Sequence, residues 1–76
     1  DIEVGQRCVV EGRGLGKVRF VGVVRGKHRI GVELDGRRGL NDGAVDGVQY
    51  FTCESGHGVF TTSEHVVPID APDDSD

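Results

Sequence analysis

The clearest pattern in the chain is a strict alternation at residues 29–34, Arg-Ile-Gly-Val-Glu-Leu, which puts Ile30, Val32 and Leu34 on one face. Period two of this kind predicts a half-buried strand. Residues 17–21, Lys-Val-Arg-Phe-Val, alternate in the same way and predict a second strand, continued weakly by Val23 and Val24. Residues 4–11 read as a strand before it, with a glycine-rich loop over 12–16. The chain then turns at Gly26-Lys27-His28. After Leu34 the pattern lapses into a long loop over 35–47, followed by short strands at 48–52, 59–61 and 66–67, the last closed by Pro68. Ser63-Glu64-His65 predicts a turn or a single helical turn capped by Ser63. No stretch carries a sustained period of 3.6. The prediction is an all-β domain, a small and strongly bent antiparallel SH3-like barrel with long glycine-rich loops.

Composition sharpens this picture. Seventy-six residues make one domain near the lower limit for a self-sufficient core, with 13 Gly and four aromatics, Phe20, Tyr50, Phe51 and Phe60. The domain is expected over residues 1–69. Residues 70–76, Asp-Ala-Pro-Asp-Asp-Ser-Asp, supply no core-forming residue after Ala71 and are expected to be an acidic disordered tail or linker. With no Met and Asp at position 1, the chain reads as a module of a longer protein. No run is long and apolar enough for a membrane helix, and none resembles a signal peptide.

The net charge of -4 conceals an asymmetry: all nine Lys and Arg lie between Arg7 and Arg38, and only acids follow Asn41. A basic face in the first half is therefore expected, suited to an acidic partner. Cys8 and Cys53 stand apart in sequence and read as buried thiols, which favours a cytoplasmic setting.

Chemistry-bearing motifs are few. Cys8, His28, Cys53, His57 and His65 lack metal-ligand spacing, so neither a metal nor another cofactor is expected. Cys53 and His57 across a Ser-Gly turn do not make a nucleophile and base, so no enzyme activity is expected. Gly12-Arg13-Gly14-Leu15-Gly16-Lys17 departs from a phosphate-binding loop: the glycines are too close, and Val18 and a strand follow Lys17. Nucleic-acid binding on a barrel would need exposed aromatics among the cations, and the basic half has only Phe20.

The most telling segment is Gly39-Leu40-Asn41-Asp42-Gly43, followed by Tyr50-Phe51-x-Cys53 and Gly56-His57-Gly58-x-Phe60. Asn and Asp between glycines are turn residues that tolerate left-handed backbone. Together with residues 4–8, 16–22 and 30–35, these motifs resemble the CAP-Gly domain, the glycine-rich module of dynactin's large subunit, cytoplasmic linker proteins and tubulin-folding cofactors. The resemblance covers residues 4–69. It implies a barrel that captures acidic chain ends of the Glu-Glu-Tyr or Glu-Glu-Phe type, as on tubulin, end-binding and linker proteins, in a cytoplasmic, cytoskeleton-associated setting. It places the peptide site at Leu40, Asn41, Asp42 and Gly43, with Phe60 as the pocket aromatic and His65 as a polar contact. Chain-end capture needs donors around a carboxylate, which Asn41 and the turn backbone would offer.

Two positions depart from the family. Leu40 stands where its Lys belongs, and Arg29 where it has a Trp, after a loop over 23–28 about two residues shorter than usual. The expectation is weakened or altered specificity, with Arg29, together with Arg37 or Arg38, supplying charge. The alternatives are a scaffold domain with a vestigial groove and a nucleic-acid-binding barrel.

Overall fold

The computed structural model describes residues 2–69; the acidic stretch over 70–76 lies outside them. Seven strands appear in the order β1 (Arg7–Val10), β2 (Gly14–Val24), β3 (Lys27–Leu34), β4 (Ala44–Val45), β5 (Val48–Gln49), β6 (Gly58–Thr61) and β7 (Val66–Pro68), with a 3-10 turn at Ser63–His65 before β7. Five of them form one antiparallel sheet in the order β6-β3-β2-β1-β7, and β4 and β5 form a separate hairpin.

The sheet is rolled. Laid flat, five strands would hold β6 and β7 roughly 19 Å apart, at about 4.8 Å per spacing. Only residues 62–65 join these two edges, and three of them are in the 3-10 turn. A 3-10 segment advances only about 2 Å per residue, so the edges must curl toward each other. The result is a small SH3-like barrel in which β6 and β7 do not pair.

The inner face holds Cys8, Val10, Val18, Ile30, Val32, Leu34, Val59 and Val66, all buried, with Ile2 and Val21 packed against them. The alternation in residues 29–34 is realised: Ile30, Val32 and Leu34 are each at most 1% exposed. Elsewhere the boundaries shift. The first strand is shorter than the 4–11 expected, because Gly5 and Gln6 turn to exchange backbone bonds with Val18 (2.8 Å each way). The loop expected over 12–16 is already strand from Gly14.

The hairpin turn after β2 is Arg25-Gly26, both at positive φ (53° and 81°), one residue earlier than the Gly26-Lys27-His28 expected. That is the two-residue type I′ geometry that matches strand twist. Asp46 (52°) and Gly47 (81°) repeat it between β4 and β5, so the loop expected over 35–47 contains a strand, and the strand expected over 48–52 stops at Gln49. In the 3-10 turn the N-cap position falls on Thr62, without a side-chain capping bond, so Ser63 is not the cap. Cys8 is buried, whereas Cys53 is only half-buried; neither is in a disulfide.

Candidate functional site

The site begins with an irregularity in β2. Val18 pairs with Val32, but the next pairing is Phe20 with Gly31, leaving Arg19 as an extra residue. Such a bulge re-aims the side chains that follow it. Strict alternation would put Phe20 beside Val18 in the core. The bulge turns it to the opposite face, across Gly31 from Phe60, which pairs with Gly31 from β6.

Gly31 is the floor of an aromatic cluster. A Cβ there would lie 2.6 Å from the Phe51 ring, 2.9 Å from the Phe60 ring and 3.0 Å from Phe20 Cβ. Tyr50 and Phe51, just after β5, complete the cluster. Ring centroids are separated by 5.1 Å (Phe20–Tyr50), 6.2 Å (Phe20–Phe60), 5.5 Å (Tyr50–Phe60) and 5.4 Å (Phe51–Phe60), in tilted or edge-on arrangements that suit aromatic quadrupoles. Phe51 is buried, and the other three are half-buried. The Arg19 guanidinium sits 5.9 Å from the Phe51 centroid and pairs with Glu33.

Beside Phe60 the same face opens into a cleft of about 390 Å³ lined by Val24, Arg25, Lys27, Arg29, Val45 and Phe60. Arg29 Nη1 donates to the His28 carbonyl at 2.9 Å, and Arg25 Nε pairs with Asp46 Oδ2 at 2.9 Å. Lys27 makes no ion pair among the described residues. Arg29 and Phe60 thus share a cleft, joined by two cations that sequence reasoning did not assign to the site.

The Gly39–Gly43 segment packs on the start of β6. Leu40 and Asn41 both donate N–H to the Gly58 carbonyl (2.7 and 3.0 Å), and Gly58 N–H returns to the Asn41 carbonyl (2.8 Å). Asn41 and Asp42 are not left-handed; only Gly43 is, at φ 100°. The turn is closed instead by Asn41 Oδ1, which accepts Gly43 N–H at 2.9 Å, an Asx turn. A Cβ on Gly43 would lie 1.9 Å from the Phe51 carbonyl oxygen, so this backbone approach requires glycine. The N–H groups of Leu40, Asn41 and Gly43 are therefore committed internally, contrary to their expected use as ligand donors. The bonds leave Asn41 Nδ2 and Asp42 N–H without a partner among the described residues.

Gln49, also missed in the sequence, ties this turn to the aromatics: its Nε2 donates to the carbonyls of Asp42 (3.1 Å) and Phe51 (2.7 Å). Asp42 Oδ1 accepts Ala44 N–H at 3.3 Å. Asn41 stands opposite Gly58, two residues before Phe60 on β6. A strand rises about 3.3 Å per residue, so the turn and the Phe60 ring are near neighbours.

Two expected site residues lie apart. The Leu40 side chain is 70% exposed and lines neither described cleft. His65 is exposed, its Nδ1 3.0 Å from Glu11 Oε1 beyond β1, because the 3-10 turn carries it to the far edge strand. A second cleft, lined by residues including Arg7, Lys17, Asp35, Glu54 and His57, has its charges largely matched, with Arg7 bound to Asp35 at 2.9 and 2.6 Å. Burial pushes both the Cys8 and Cys53 thiols up, which disfavours a thiolate nucleophile at either. Among the described residues no three His, Cys, Asp or Glu cluster as metal ligands.

The CAP-Gly domain model matches residues 4–66. Dynactin subunit 1 of Xenopus laevis is 42% identical over 73 residues, covering 91% of this chain and 6% of that protein. Human CAP-Gly domain-containing linker protein 3 is 42% identical over 79 residues (96% and 14%). Tubulin-specific chaperone B of Dictyostelium discoideum is 41% identical over 83 residues (97% and 31%). The chain therefore spans under a third of each of these relatives. Among solved structures, the CAP-Gly domain of human kinesin-like protein KIF13B superposes with a TM-score of 0.85 at 32% identity, covering 99% of this chain and 77% of that one. The Bik1 CAP-Gly domain, solved with an ETF peptide from Bim1, gives 0.73 at 31% identity (82% and 78%).

Proposed function

Because this chain belongs to the CAP-Gly family, we propose that it is a non-enzymatic module that binds the acidic C-terminal end of a partner chain. The observation that carries the reading is the layout of one face: a half-exposed aromatic cluster centred on Phe60, with the Asn41 turn on one side and the cationic cleft on the other. A peptide lying along this face would set its terminal carboxylate against Asn41 Nδ2 and Asp42 N–H. Its last side chain would rest on Phe60, Tyr50 and Phe20, and its preceding acids would run toward Arg29 and Lys27. The peptide bound to the Bik1 domain and the tubulin connection in the chaperone's name support this ligand class, tails of the Glu-Glu-Tyr or Glu-Glu-Phe type in a cytoskeletal, cytoplasmic setting.

Specificity differs from the family's usual form in a definable way. Leu40, standing where the resemblance expects a lysine, points into solvent and offers no charge. The cations lie instead on β3 and the Arg25 turn. The end itself is therefore held more weakly, and acids further back in the ligand contribute more.

The test is a titration with a peptide ending in Glu-Glu-Tyr, its C-terminally amidated form and an oligonucleotide. Free-carboxylate peptide should bind, amidation should abolish binding, and Asn41→Ala should weaken it about tenfold or more, the scale of a hydrogen bond to a charged group. Equal binding of the amidated peptide would defeat end capture. No saturable binding would indicate a scaffold domain, and binding of the oligonucleotide alone, with a steep salt slope, a nucleic-acid module.

A further inference from the structure

The tips of two hairpins meet at the mouth of the cationic cleft. Arg25 heads the turn between β2 and β3, Asp46 heads the turn between β4 and β5, and both are left-handed. Type I′ turns strongly prefer Asn, Asp or Gly at this position, so Asp46 fits and Arg25 does not. What Arg25 does there is reach across: its Nε lies 2.9 Å from Asp46 Oδ2. Arg25 and Val45, the neighbour of Asp46, both line the cleft.

We infer that Arg25, Lys27 and Arg29 form a seat for acidic side chains upstream of the bound chain end, and that Asp46 fills part of it in the free chain as an internal competitor. This rests on the end-capture reading. Three cations face the cleft, and the carboxylate of Asp46 neutralises one of them. The pair is exposed, with side-chain accessibilities of 68% and 61%, so water and salt screen it and a ligand carboxylate can exchange for it. While Asp46 remains in place, it repels an arriving acid and withholds the Arg25 fork, which prefers a carboxylate as its partner. Ligands with a single acid near the end gain little from displacing Asp46. A ligand with several consecutive acids can satisfy Lys27 and Arg29 first and then take Arg25, so Asp46 sets a threshold on ligand acidity.

The experiment uses the full chain and two peptides ending in Glu-Glu-Tyr, one with Glu and one with Gln at the fourth to sixth positions from the free carboxyl end. Asp46→Asn keeps a residue suited to left-handed backbone, and Arg25→Asn creates the preferred Asn-Gly turn, so both variants should fold; thermal unfolding checks this. Glu64→Gln, in the 3-10 turn, gives the same change in net charge away from the cleft. Asp46→Asn should tighten the Glu-extended peptide by about threefold, the scale of an exposed ion pair, and the Gln peptide by less. In the Arg25→Asn background the gain should shrink to the part that comes from relief of repulsion, because no cation is released. A gain no larger than that of Glu64→Gln, or one undiminished by Arg25→Asn, overturns the inference while leaving end capture intact. Loss of all peptide binding in both wild type and Asp46→Asn overturns both readings. Binding that first appears in Asp46→Asn supports the competitor.

Discussion

The two faces of β3 divide the work of this domain. Ile30, Val32 and Leu34 point into a core built only from aliphatic side chains and one cysteine. Lys27, Arg29, Gly31 and Glu33, alternating with them, line the face that carries all four aromatics and the cations. An aromatic side chain buries roughly 150–250 Å² and usually dominates a small core. Here three of the four stay half-exposed around Gly31, and the core is left to smaller residues. On the proposed reading, stability and recognition fall on opposite sides of one strand, and a substitution should damage one while sparing the other.

The largest effect should come from the point where the two functions share backbone. Gly43→Ala puts a Cβ 1.9 Å from the Phe51 carbonyl oxygen at a φ of 100°. The two nearest atoms are the carbonyl oxygen and carbon of the Phe51 backbone, not a flexible side-chain end, so the turn and the segment carrying Phe51 must move apart. A loss of about 3 kcal/mol or more is expected in urea unfolding, with peptide binding lost in whatever remains folded. A stable, binding-competent Gly43→Ala would show that the Asn41 turn is not anchored as described.

Next in size is a pair of truncations that tests the division itself. Ile30→Ala, at 1% exposure, should cost about 2–5 kcal/mol and leave peptide affinity of the folded protein within about twofold. Phe60→Ala, half-buried and ringed by Phe20, Tyr50 and Phe51, should cost less stability, about 1–2 kcal/mol, yet weaken peptide binding about tenfold or more. If both variants changed affinity and stability in the same proportion, the two faces would not be separable.

This division was half legible in the sequence. The core face of β3 could be read because its alternation runs without interruption from Ile30 to Leu34. The side of Phe20 could not: residues 17–21 alternate as though Phe20 followed Val18 inward, and nothing in that run marks Arg19 as a bulge. The first hairpin turn lies one residue earlier than Gly26-Lys27-His28 suggests, and that single residue decides whether Lys27 sits in a turn or on the cleft face of β3. The Asp46-Gly47 turn was readable by the same rule that identifies any Asp-Gly hairpin. It was hidden by strands of only two residues on either side, too short to show a period. Asn41 was found by family resemblance. Its Asx bond to Gly43 and its bridge to Gly58 depend on a partner far along the chain, which local turn chemistry does not specify.

The smallest predicted effect sharpens the contrast between the two clefts. In the second cleft Arg7 grips Asp35 with both guanidinium nitrogens, whereas the first keeps cations in excess. The hydrogen bonds from Arg7 hold the Asp35 carboxyl below its ordinary value of 3.8, more than the slight burial raises it. A carboxylate whose folded value is lowered stabilises the fold at pH above its unfolded value, and that contribution is lost as pH falls through the folded one. Asp35→Asn should therefore be less stable than wild type at pH 6, with the gap closing as pH drops below about 4, in urea midpoints taken across that range. The gap should be small even at its widest, because the two side chains are 43% and 51% exposed and the pair is screened. Peptide affinity at pH 6 should not change, since Asp35 lines the matched cleft and not the cationic one. A clear loss of peptide binding in Asp35→Asn would mean that the ligand extends across both clefts, and the separation drawn between them would have to be given up.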